Sequence, residues 1–99
     1  MISNIKPGEP VIMGYYVTRD GSLVHIYDFH ARRHCVVGSY VRQKTQTKYY
    51  NARFSLTGEY LHKQIHYPQN SLDLMQYLGL ELEVALLRYR GLISNDFIF

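Results

Sequence analysis

Asn70-Ser71-Leu72-Asp73-Leu74-Met75-Gln76-Tyr77-Leu78-Gly79-Leu80-Glu81-Leu82-Glu83-Val84-Ala85-Leu86-Leu87-Arg88-Tyr89-Arg90-Gly91 is the stretch on which the fold turns. At about 100° per residue, Leu74, Met75, Leu78, Leu82, Ala85, Leu86 and Tyr89 share one apolar face, which predicts a helix over 70–91. Asn70 or Ser71 caps its start and Asp73 suits its first turn. Arg88 and Arg90 suit the last turn, and Gly91 closes it. Gly79 counts against this reading, because glycine weakens a helix by roughly 1 kcal/mol relative to alanine. Residues 79–84 also alternate with period two, so a short helix followed by a strand is the competing local reading.

Tyr77, Leu80, Val84 and Leu87 make a second apolar stripe opposite the first. A helix apolar on two sides is deeply buried or shared between subunits, which points to a homodimer through the helix or the C-terminal tail. The other reading has the tail folding back over that stripe. Leu92-Ile93 and Phe97-Ile98-Phe99 in that tail read as a closing edge strand or a docking segment.

Upstream, the chain reads as strands joined by short turns. Pro7-Gly8 is a turn in a polar lead-in. Pro10 to Thr18 is rich in β formers, and the Asp20-Gly21 pair after it is a hairpin signal. Leu23 to Phe29 is the return strand, apolar on both sides. His30–His34 is a polar connection. Cys35 to Arg42 is a third strand, with Gly38 marking a bulge or close approach. After the polar loop 43–48, Tyr49 to Leu56 alternates: Tyr50, Ala52, Phe54 and Leu56 inward, Tyr49, Asn51, Arg53 and Ser55 outward. Tyr60 to Ile65 is a fifth, shorter strand. The expectation is one α+β domain over 1–99. It has an antiparallel meander of about five strands, flat or curled into a small barrel, packed against one C-terminal helix.

Ninety-nine residues with 46% apolar side chains exclude a disordered chain and allow a modest core. No apolar run approaches the ~20 residues of a membrane span, and the opening residues lack the apolar centre of a signal peptide. A cytoplasmic protein is expected, with no membrane partner. The lone Cys35 forms no intramolecular disulfide and reads as a small core residue.

Charge is unevenly spread. Arg32, Arg33, Arg42, Lys44, Lys48, Arg53 and Lys63 stand against Glu59 alone over 29–63, a net +6 in a chain of net +3. An anionic partner should therefore meet the middle third. The ten tyrosines, with no tryptophan, include the adjacent pairs Tyr15-Tyr16 and Tyr49-Tyr50. Rings beside guanidinium and ammonium groups serve single-stranded nucleic acid, stacking on bases and neutralising phosphates. The same surface suits a protein partner, because Tyr and Arg are enriched at hot spots.

Two His-x3-His spacings, His30/His34 and His62/His66, match metal ligands only on a helix, and neither falls on one. No metal and no cofactor are expected. Histidine, arginine and tyrosine together also suit metal-independent RNA cleavage, which needs a base, an acid and a cation. Lys6-Pro7-Gly8-Glu9-Pro10-Val11 resembles the lead-in strand of MazF-type endoribonucleases. The resemblance implies RNA cleavage and carries over no site residue.

Asp28 sits between Tyr27 and Phe29. Facing inward, it needs Arg42 or Arg53 as partner; facing outward, it needs none. The sequence thus supports a small non-enzymatic binding protein, for nucleic acid or alternatively for an acidic protein surface. The second kind would be an adaptor or inhibitor, and compact domains of this size are common among phage and viral accessory proteins. The site residues are Arg32, Arg33, Arg42, Lys44, Lys48 and Arg53 for phosphates, and Tyr40 and Tyr49 for stacking.

Overall fold

The computed structural model describes residues 2, 4, 9–63, 65–66 and 68–94. Pro7-Gly8, the Lys6–Gly8 part of the MazF-like stretch and the tail Phe97–Phe99 lie outside these. Among the described residues the elements are strands β1 (Gly14–Thr18), β2 (Leu23–His30), β3 (Cys35–Val41), β4 (Lys48–Ser55), β5 (Tyr60–His62), β6 (Ile65–His66) and β7 (Leu74–Gly79), followed by helix α1 (Leu82–Ser94). The architecture is α+β, an open antiparallel sheet in the order β6-β5-β4-β3-β2-β1-β7 with the helix on one face. Strands β1 to β6 are the expected meander, and the expected fifth strand is split into the β5–β6 hairpin, with Lys63 at φ 52° between them.

Residues 70–91 are not one helix. Leu74–Gly79 is a strand paired with β1, and the helix begins at Leu82 and runs through Gly91 to Ser94. The break falls beside Gly79, but the order is strand then helix, the reverse of the competing reading. The physical reason is tertiary. The meander leaves one side of β1 without a hydrogen-bonded neighbour, and residues 74–79 supply it.

The entry to β7 is pinned as well. Arg19 N–H donates to Asp73 O at 3.0 Å and Asp20 N–H to Ser71 O at 2.9 Å. Leu74 N–H donates to Gly58 O at 2.7 Å, and Tyr60 N–H to Asp73 Oδ1 at 2.8 Å. Asn70 and Asp73, read as helix-start residues, thus spend their side chains elsewhere; Asn70 Oδ1 accepts from Leu72 N–H. Gly79 has φ 125°, a conformation that side chains rarely adopt, and it turns the chain from strand to helix.

Two apolar clusters form on opposite faces. One side of the sheet carries Tyr16, Val24, Ile26, Val36, Tyr40, Ala52, Phe54 and Leu74, closed by Ile2, Val11 and Leu72. The bonds from Leu74 and Tyr60, with Val11 N–H to Leu56 O at 2.8 Å, draw the far ends together, so the sheet curls around this cluster. On the other side Ala85 of α1 packs on Val17 and Leu78, flanked by Tyr15, Leu23, Tyr89 and Leu92. Burying Leu78 there contributes about 2 kcal/mol. Tyr89 Oη donates to Gly21 O at 2.6 Å and Arg88 Nη1 to Leu78 O at 3.0 Å, which lock the helix onto the β1–β2 turn and β7. Among the described residues no helix is long and apolar enough to cross a membrane.

Candidate nucleic-acid interface

Helix α1 sits on β1 and β7, so the same face continues past it across β2, β3 and β4. Register decides what this face carries. In β2, Tyr27 is an extra residue between the pairs Ile26↔Gly38 and Asp28↔Val37. In β4, Tyr50 and Asn51 lie between Gly38↔Ala52 and Tyr40↔Tyr49, opposite Ser39 alone, with Asn51 at φ 58°. Each irregularity is a β-bulge, and each shifts the alternation by one residue.

The β4 bulge corrects the expected pattern. Ala52 and Phe54 face the curled core and Arg53 faces away, as the alternation predicts. Tyr49 is turned to the core side, where its ring stacks on Tyr40 at 4.9 Å with planes 19° apart. Tyr50 takes its place on the helix side and is widely exposed, with Lys48 Nζ 5.2 Å from its ring centre.

A row of rings results. Tyr15 lies opposite His25, and their rings stack at 4.3 Å with 9° between planes. Tyr27 follows, its ring 5.9 Å from His25, and its hydroxyl donates to Asn51 Oδ1 at 3.2 Å. Small residues of β3, Val37 and Ser39, form the floor between β2 and β4. Burial, then the nearby Lys48 charge, hold His25 below its ordinary pKa of 6.5, so it is a neutral ring at pH 7. Beyond Arg53 the face runs into an open groove of about 340 Å³ lined by Asn51, Arg53, Tyr60, Leu61, His62 and Lys63.

The residues singled out by sequence divide into three groups. Lys48 and Arg53 lie on this face. Arg32 and Arg33 are exposed on a 3₁₀ turn after β2, where they line a shallow hollow of about 290 Å³ with His30. Lys44 is exposed in the β3–β4 turn. These two ends are separated by the length of β3, on the order of 20 Å. Tyr40 and Arg42 are committed elsewhere. Tyr40 is only 7% exposed and belongs to the core, where burial raises its pKa. It cannot stack on a base. Tyr49, 44% exposed, has one ring face against Tyr40. Arg42 Nη1 is 2.6 Å from Asp20 Oδ2.

Asp28 takes the outward reading: it is exposed, 3.3 Å from His30 Nε2. Among the described residues no three potential metal ligands cluster. His30 and His34 flank the 3₁₀ turn, and His62 and His66 belong to neighbouring strands.

The candidate face also carries Tyr15, His25, Tyr27, Tyr50, His62 and Lys63, which are not among the site residues expected from the sequence. The register comes from a loop one residue shorter than the turn 19–22 suggests: Thr18 N–H donates to Ser22 O at 2.9 Å across residues 19–21, which sets Val17 opposite Leu23 and Tyr15 opposite His25. Comparison of the chain with protein-family models, with curated proteins and with solved structures finds no match.

Proposed function

We propose that the protein is a non-enzymatic binding domain for single-stranded nucleic acid, which it holds on the sheet face beside α1. The observation that carries this reading is the ring row Tyr15, His25 and Tyr27, running alongside Lys48, Tyr50 and Arg53. Unpaired bases offer flat faces to such rings, and the adjacent cations neutralise the phosphates between them. The groove at Arg53, His62 and Lys63 extends the cationic side of the track. A duplex hides its base faces and gains only the charge term.

Fluorescence anisotropy of labelled single-stranded DNA, single-stranded RNA and duplex DNA at ~50 and ~200 mM salt tests this. Single strands should bind at least about tenfold tighter than duplex, with affinity falling steeply with salt. Lys48→Ala with Arg53→Ala should flatten the salt dependence, whereas Tyr27→Ala with Tyr50→Ala should weaken single-strand binding and leave the slope in place. No binding at low salt, or equal binding to duplex, overturns the reading. Capture of an acidic protein in its place would favour an adaptor role.

A further inference from the structure

We propose that the protein self-associates through the outer face of α1, with a second copy of the same chain as the partner. Leu80, Val84 and Leu87 are exposed at 64%, 41% and 69%, and Gly91 continues their line. At helical spacing Val84, Leu87 and Gly91 form one stripe of α1 facing away from Ala85, with Leu80 exposed just before the helix begins. The inner face is already engaged by Val17, Leu78 and the bonds from Arg88 and Tyr89. Among the described residues nothing lies within 4 Å of a Cβ built at Gly91, so the stripe ends in a notch there.

The pattern of the stripe identifies its occupant. A two-fold axis at Leu87 lays the helix antiparallel on its own copy. Val84 then meets Gly91 of the other copy, a large side chain against a small one. The same arrangement sets Glu83 of each copy beside Arg90 of the other. Among the described residues neither Glu83 nor Arg90 has an ion-pair partner within its own chain. An acidic or a basic partner of another kind would match one of these charges and repel the other. The contact involves a few side chains per copy, well under the ~800 Å² per partner of a standard interface, so the dimer is concentration-dependent. This inference is independent of nucleic-acid binding, since the stripe shares no residue with the ring row.

Sedimentation equilibrium of the full chain from ~5 to ~200 µM is the test. Wild type should pass from monomer to dimer over that range. Leu87→Asp should weaken association by about tenfold or more, with an unchanged circular dichroism spectrum because Leu87 is 69% exposed. Glu83→Arg alone should also weaken it, and Glu83→Arg combined with Arg90→Glu should restore it. A wild-type monomer throughout, a dimer indifferent to Leu87→Asp, or a charge swap that fails to recover association would each overturn the proposal.

Discussion

The His25 imidazole lies on the Tyr15 ring at 4.3 Å with 9° between planes, joining the helix-covered part of the sheet to the open part. Burial first, and Lys48 second, depress the His25 pKa below 6.5. The unfolded chain therefore binds this proton more readily than the folded one. The stability linked to His25 is present above pH 6.5 and falls as pH drops below it. Urea unfolding at pH 7.5, 6.5 and 5.5 should show this loss, and His25→Phe, which keeps a ring but cannot protonate, should lessen it.

Asp20 also has a lowered pKa, and its stabilisation is also lost toward acid, for a different reason. Burial raises its carboxyl, but hydrogen bonds from Thr18 Oγ1 at 2.6 Å, Ser22 N–H at 3.1 Å and Arg42 Nη1 at 2.6 Å outweigh burial and hold its pKa below the ordinary value. The stabilisation is present above the unfolded pKa and is lost as pH falls through the folded value. Asp20→Ala should cost about 1 kcal/mol at pH 7, since the pair is partly exposed and screened. Chemical denaturation at pH 7 measures it, and the difference between variant and wild type should shrink in strong acid.

Asp73 ties the entry of β7 to the start of β5. It is 4% exposed, accepts from Tyr60 N–H at 2.8 Å and lies 3.8 Å from Arg19 Nη2. Asp73→Ala leaves a backbone donor and a guanidinium without this acceptor, at a cost of roughly 2–3 kcal/mol. If Asp73 stood in the first turn of a surface helix, the same change would cost only about 0.5–1 kcal/mol. Thermal unfolding separates the two.

Two glycine replacements should act in opposite directions. Gly91 lies inside α1 with none of the described residues within 4 Å of an added Cβ, so Gly91→Ala should stabilise by about 1 kcal/mol. A Cβ at Gly38 would overlap the His25 carbonyl, so Gly38→Ala should cost at least 1–3 kcal/mol, roughly the range for overpacking. It should also disturb the Tyr15–His25 stack, visible in aromatic proton shifts.

The parts of the fold that were legible rest on local chemistry. Asp20-Gly21 marks a hairpin, the alternation around Ala52 and Phe54 marks a half-buried strand, and Leu82–Arg90 carries a helical pattern. Leu74–Gly79 misled because its apolar spacing fits a helix, while the partner that makes it a strand, β1, is about 60 residues away. The candidate face is legible in composition but not in register. Lys48 and Arg53, singled out by charge, lie on it, but the bulges at Tyr27 and Asn51 choose which tyrosines face outward. A bulge depends on how two strands align, and Tyr49-Tyr50 reads equally well either way round.

The most direct measurement is amide chemical-shift mapping of the full chain titrated with a short single-stranded oligonucleotide of about 12 residues. The largest shifts should fall on His25, Tyr27, Lys48, Tyr50 and Arg53, with Val36 and Tyr40 of the core side and Val84 and Leu87 of the helix unmoved. Shifts confined to the Arg32-Arg33 turn or to α1, or no shifts at all, would contradict the account.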